Sequence, residues 1–196
     1  MHPVSPNFLN PADAERFVRE AFADEPARLS HILVIAERAE RSAREIAARH
    51  PDLRLDAPTV RCAALVHDIG YLDRAKRTGF HPVDGYRLLC EHGAEALARR
   101  IVGHSSSPEE AGLLGIPLPE PLDDLAARLV TYWDMQVKQG GEIVGYEERY
   151  RDILGRYGED SVVGQAHRLA RPRILGILAD VDRLLTSVEG PSDAGH

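Results

Sequence analysis

Six residues carry the chemistry this chain is equipped to do: His31, the adjacent pair His67-Asp68, His81, His104 and Asp134. The dipeptide alone says little, since nine His and fifteen Asp in 196 residues give about 0.7 such pairs by chance. Its setting gives it weight. Arg61-Cys62-Ala63-Ala64-Leu65-Val66 precedes it, an almost wholly apolar stretch, so the pair stands at the end of a buried helix. There an imidazole and a carboxylate cost several kcal/mol unless partnered, and a metal ion or backbone groups would serve. Adjacent helical residues point about 100° apart, so both reach one ion only if it lies beyond the helix end. Gly70 is expected to supply that end. Other helices must then bring the remaining ligands, for which His31, His81, His104 and Asp134 are the candidates. Imidazole with carboxylate suits Fe, Mn, Co, Ni or Zn better than calcium.

The elements that position these residues are helical throughout. Asn10-Pro11 and Glu25-Pro26 each mark a helix start. From Ala27 to about Arg49, Leu29, Ile32, Leu33, Ile35, Ala36, Ala39, Ala43 and Ile46 recur at spacings near three and four, an amphipathic helix stopped before Pro51. Asp56-Ala57-Pro58 opens the apolar helix that leads to His67-Asp68. Further helices are expected from His81-Pro82 to about Glu91 and, beyond Gly93, through Ala98 to Val102. Ser105 to Pro121 has loop composition, and Asp123 to Gln139 is expected as a helix stopped by Gly140-Gly141. Tyr146 to Tyr157 and Asp160 to Ser187 are helical in pattern, with a break expected at Pro172. Useful β-alternation and internal repeats are absent from the sequence, and Pro191 to His196 is expected as a flexible tail.

The ordered set resembles the HD-domain superfamily, whose pattern is a single His, then His-Asp, then a distant Asp, all on helices. The matching segments are His31, Val66-His67-Asp68-Ile69-Gly70 and Thr131-Tyr132-Trp133-Asp134. In the two-metal subset, which includes HD-type dinucleoside-tetraphosphate hydrolases and the HD-GYP phosphodiesterases, two further histidines intervene. His81 in His81-Pro82-Val83-Asp84-Gly85 and His104 in Ile101-Val102-Gly103-His104 match them. Ser105-Ser106-Ser107-Pro108 stands where the Gly-Tyr-Pro segment would be, which argues against cyclic di-GMP as substrate.

The resemblance implies a compact all-α HD bundle forming a single domain over residues 1–190. Its metal-ligand core spans about 28–140, and C-terminal helices occupy 146–187. It further implies one ion on His31, His67, Asp68 and Asp134, with Asp68 bridging to a second on His81 and His104. Such a centre has an ion separation of ~3.5–4 Å and a hydroxide between the ions as nucleophile. The expected activity is metal-dependent hydrolysis of a phosphate ester in a small phosphorylated molecule, with a nucleotide the leading expectation. A mixed-valent di-iron HD-type oxygenase cleaving C–P or C–C bonds is the rival enzyme, weakened by the lack of a Tyr near His31. A non-catalytic HD binding or signalling module is the third alternative, disfavoured because all six ligand positions are kept.

Beyond the ligands, Arg74, Lys76 and Arg77 lie between His67-Asp68 and His81 in the chain, so connectivity keeps them near the centre as candidates for phosphate. Asp73 in the same loop is the candidate acid for the leaving oxygen. Lys138, expected one turn after Asp134 on the same helix face, is a second phosphate candidate. Each has a plainer alternative, a solvated surface charge or a local ion pair. His81 before Pro82 would otherwise be a helix-start residue, and His50, His92 and His167 fall outside the pattern and are expected at the surface or in structural roles. Trp133 is expected in the core or lining a pocket.

Composition bounds the rest. Hydrophobic residues at 43% and charged residues at 28% are those of one well-cored globular domain. A net charge of −7 provides no global basic surface for a long nucleic acid, although local cations can still attract a small anion. Cys62 and Cys90 are too few for a disulfide framework, and neither a basic-then-apolar leader nor a membrane-length apolar run is present, so a reducing, cytoplasmic setting is expected. The expected partner is a small phosphorylated molecule, with no membrane and with homodimerisation left open.

Overall fold

The computed structural model describes residues 6–186. Among them the chain forms nine α-helices, two 3-10 turns (Pro51–Leu53 and Ile69–Tyr71) and a single isolated bridge, Val137 with Ile143. The helices are α1 (Pro11–Ala21), α2 (Pro26–Arg49), α3 (Ala57–Val66), α4 (His81–Glu91), α5 (Glu95–Ile101), α6 (Ser107–Leu114), α7 (Leu125–Asp134), α8 (Tyr146–Tyr157) and α9 (Val162–Thr186). The all-α class expected from periodicity is therefore what folds. The tail at 191–196 lies outside the described residues.

Local chemistry starts these helices where the sequence signals it. The Asn10 side chain accepts from the amides of Ala12 and Asp13, Asp56 from Thr59, and Asp124 from Ala127, each satisfying an otherwise orphaned first-turn N–H. Burial then orients them. α2 and α3 pack together as the spine, with Ile32, Ile35, Ala36, Ala39 and Ala43 of α2 and Ala63 and Ala64 of α3 all fully buried in one core. Each buried Ile contributes roughly 1.5–3 kcal/mol. α3 is buried nearly all round, so its end, where His67 and Asp68 sit, lies deep in the protein.

Four expectations are corrected. α3 stops at Val66 rather than running to Gly70. The expected loop from Ser105 to Pro121 contains α6, whose Gly115 closes the helix at φ +65°. α7 ends at Asp134, so Lys138 is not on its face but in the bridged turn that follows. α9 runs through Pro172 without a break, because packing against α6, α7 and α2 outweighs the one hydrogen bond the proline nitrogen cannot make.

Gly70 has another task than capping. A Cβ there would lie 1.8 Å from the His81 carbonyl oxygen and 2.7 Å from the Gly85 nitrogen. The turn after Asp68 thus rests backbone against backbone on the first turn of α4, and that contact sets His81 beside Asp68. Gly70→Ala should separate the two segments, costing about 1–3 kcal/mol or more and displacing His81. A urea titration should show a lowered midpoint together with reduced metal content; an unchanged midpoint would mean the contact is not needed.

Candidate metal centre

Five chain segments deliver the six candidate ligands to one place, mostly at helix ends. His31 comes from the second turn of α2, His67 from the C-terminal cap of α3, and Asp68 from the residue after it. His81 is the first residue of α4, His104 lies in the turn after α5, and Asp134 is the last residue of α7. They form two triads, His31 with His67 and Asp134, and Asp68 with His81 and His104, within each of which the ligand atoms lie no more than 4.8 Å apart. His31 Nε2 is 3.2 Å from Asp134 Oδ1. Asp68 Oδ1 joins the triads, 3.5 Å from His67 Nε2 and 3.8 Å from His81 Nε2, and His81 Nε2 is 3.4 Å from His104 Nε2.

Backbone carbonyls set the tautomers. Nδ1 of His31, His67 and His104 lies 3.2, 2.7 and 2.5 Å from the carbonyl oxygens of Lys138, Ala64 and Ile101. A carbonyl only accepts, so each Nδ1 carries the hydrogen and each Nε2 keeps its lone pair directed into the cluster. Lone pairs and carboxylate oxygens consequently face one another among buried side chains. His67 Nε2 is buried with no hydrogen-bond partner. A divalent cation satisfies such an arrangement, and the donor set is that of a borderline transition metal.

Neighbouring groups fix the carboxylates. Arg28 Nη1 donates to Asp68 Oδ2 at 3.0 Å, leaving Oδ1 toward the histidines, and the Arg28 guanidinium lies 3.8 Å over the Tyr71 ring. Ser105 donates through Oγ to Asp134 Oδ2. Its backbone is left-handed at φ +50°, a strained conformation held by Thr131 Oγ1 accepting from its amide and by Arg173 donating to its carbonyl at 2.5 Å. Arg149, buried on α8, donates to the Asp134 carbonyl at 3.2 Å. Burial alone would raise the carboxyl groups, but their basic neighbours, among them the Arg28 and Arg149 guanidinium groups, hold Asp68 and Asp134 well below the usual range. Burial pushes His81 down to about 3 and His104 downward too, which keeps both neutral and able to ligate.

The cluster opens on a cavity of about 100 Å³, to which Arg28, Tyr71, Glu110, Arg156, Tyr157 and His167 also contribute. A larger cleft of about 940 Å³ adjoins it, sharing Arg28 and Tyr71 and lying between α1, the start of α2 and the segment after the 3-10 turn. Arg74 and Lys76 line this outer cleft rather than the ligand cavity. Arg74 lies over the Phe17 ring at 4.5 Å and Lys76 pairs with Asp73 at 2.7 Å. Asp73 is 96% exposed in that pair and does not line the ligand cavity. Arg77 donates to the carbonyls of Arg74 and Lys76. The Lys138 side chain pairs with Glu142 and Glu148, and it is the Lys138 carbonyl that meets the centre, through His31.

Sequence reasoning overlooked Arg28, Ser105, Arg149 and Glu110, and it left His167 outside the pattern as a surface or structural residue; His167 is buried on α9 and lines the ligand cavity. Arg28 stands three residues before His31, within reach of a spacing argument. No spacing signal links α8 and α9 to the cluster. Trp133 is partly buried against the core and donates to Ser42 Oγ at 3.0 Å, in keeping with a packing role.

The HD domain family profile matches residues 28–135, more than half of the chain, and this protein belongs to that family. No curated protein and no solved structure matches it. Among the described residues no helix is long and apolar enough to cross a membrane.

The imidazoles make the metal-free protein sensitive to acid. His81 titrates near 6.5 when unfolded and about 3 when folded. Between those values the unfolded chain binds more protons, so stability falls as pH drops. The urea midpoint of metal-free protein should be lower at pH 5 than at pH 7.5, a range in which Asp68 and Asp134 are ionised in both states. Equal midpoints would show that the histidines are not desolvated.

Proposed function

We propose that this protein is a metal-dependent phosphohydrolase, a phosphatase or phosphodiesterase that hydrolyses a phosphate ester of a small phosphorylated metabolite, with a nucleotide as the leading candidate. The observation that carries the reading is the pair of ligand triads meeting at Asp68 Oδ1, with a buried lone pair on His67 that no hydrogen bond among the described residues satisfies. Two divalent transition-metal ions, one to each triad, are the occupancy this donor set fits. When bound, such ions activate water and neutralise charge on phosphoryl oxygens.

The chain's own groups supply the rest. Arg28, Arg149 and Arg156 surround the cavity with positive charge, which favours a phosphoryl group despite the negative charge of the whole protein. Arg28 also holds one oxygen of Asp68, so its position couples the carboxylate to whatever anion enters. The small cavity suits the reacting phosphoryl group and the larger cleft the organic part, since a volume near 900 Å³ is that of a small-molecule site. Arg74 and Lys76 would then meet the far end of the substrate. The nucleotide assignment rests on this division of space and on the family resemblance.

Metal analysis of anaerobically purified protein, followed by a screen of phosphorylated metabolites, tests the reading; O₂ uptake without phosphate release would replace it with the oxygenase. Asp68→Ala should abolish hydrolysis and sharply reduce metal content while the fold, read by circular dichroism, survives. Undiminished turnover in metal-replete assays would remove Asp68 from the site. His81→Ala/His104→Ala should lower the metal stoichiometry from two ions to one and reduce activity far more than stability. Two retained ions in that variant would sink the second triad.

A further inference from the structure

Beyond the six ligands, the cavity is lined by polar groups that the ligand cluster does not use. His167, from α9, is 7% exposed, and its Nδ1 is buried without a hydrogen-bond partner. Its Nε2 makes no hydrogen bond among the described residues and is not sealed off as Nδ1 is, and the residue lines the cavity. A buried nitrogen without a partner is tolerated better as an acceptor than as an orphaned N–H. The favoured tautomer therefore has its lone pair on Nδ1 and its hydrogen on Nε2, a donor directed at the cavity. Burial pushes the ring down to about 4, which keeps it in this neutral form.

Ser106 and Ser107 stand on the same wall, 3% and 4% exposed. Neither hydroxyl has a partner among the described residues, and Ser106, the N-cap residue of α6, makes no side-chain cap bond. The cavity is thus lined by three potential donors, two of them at the start of an eight-residue helix whose amide end favours an anion. Arg149 and Arg156 add positive charge nearby. Opposing carboxyl groups line the cavity as well: Asp68 and Asp134, whose charge bound cations would offset, and Glu110, whose carboxyl burial raises.

From this geometry we infer that Ser106, Ser107 and His167 form a binding site for a tetrahedral oxyanion, donating hydrogen bonds to the non-bridging oxygens of the substrate's phosphoryl group. The site rests on the phosphohydrolase reading and extends it to a helix outside the matched family region. It gives α9 a direct part in recognition. The same donors would hold inorganic phosphate as product.

The test is calorimetric titration of inorganic phosphate into metal-loaded, full-length protein. His167→Ala and Ser106→Ala/Ser107→Ala should each weaken phosphate binding roughly tenfold or more, with metal stoichiometry and helicity unchanged. His167→Gln, which keeps a donor, should recover part of the loss. In the unmodified protein, the His167 ring nitrogen resonances should shift on adding phosphate. Phosphate affinity unchanged in both variants overturns the site while leaving the phosphohydrolase reading intact. If a variant loses metal or helicity, the resonance decides, and an unmoved His167 signal overturns the site. A metal-loaded wild-type protein that binds no phosphate overturns the reading and the site together.

Discussion

The structure depends on one electrostatic constraint: four imidazoles and two carboxylates are gathered inside a hydrocarbon core with their acceptor atoms facing one another. His31 Nε2 against Asp134 Oδ1 at 3.2 Å and His67 Nε2 with no partner at all are unfavourable contacts in a metal-free interior. The surrounding fold holds such a cluster against its own repulsion, and a cation would relieve it. The metal-free centre is thus a store of unsatisfied acceptor capacity. Any affinity of these donors for a divalent ion would share its origin with their cost to the metal-free fold.

The holding is done by backbone. Three carbonyls fix three imidazole tautomers, and the contact of Gly70 with the first turn of α4 sets His81 relative to Asp68. Asp84, fully buried, accepts from the amides of Thr78 and Gly79 and ties the preceding loop to the same turn. On the opposite side the strained Ser105 reaches Asp134, and its carbonyl is gripped by Arg173, which also pairs with Glu109 at 2.7 Å. Rigid, locally determined groups suit this task because small displacements of a ligand are costly to a metal site.

The C-terminal helices are consequently part of the centre and not an appendage. α8 contributes Arg149, and α9 contributes His167 and Arg173, so the region beyond residue 135 helps orient Asp134 and closes the cavity. Arg28, on the other wall, separates the small cavity from the larger cleft while bound to Asp68 and stacked on Tyr71. The arrangement leaves two adjoining spaces, a small one at the ligand cluster and a larger one beyond Arg28 and Tyr71.

The all-α class, the cap residues, the amphipathic face of α2 and the six candidate ligands were all legible in the sequence, because each depends on short-range spacing or on the order of a few chemically distinctive residues. The end of α3, the helix hidden in the serine- and proline-containing stretch and the continuity of α9 through Pro172 were not, since packing against distant segments decided them. The same division runs through the site. Connectivity placed Arg74 and Lys76 near the centre, but only the folded chain put them in the outer cleft; Lys138 proved important through its carbonyl, which no side-chain pattern reports. His167 lies 63 positions from His104 and carries no motif. Spacing along a chain specifies what one helix can present, whereas which distant helix end faces it is decided by burial, and burial exists only in three dimensions.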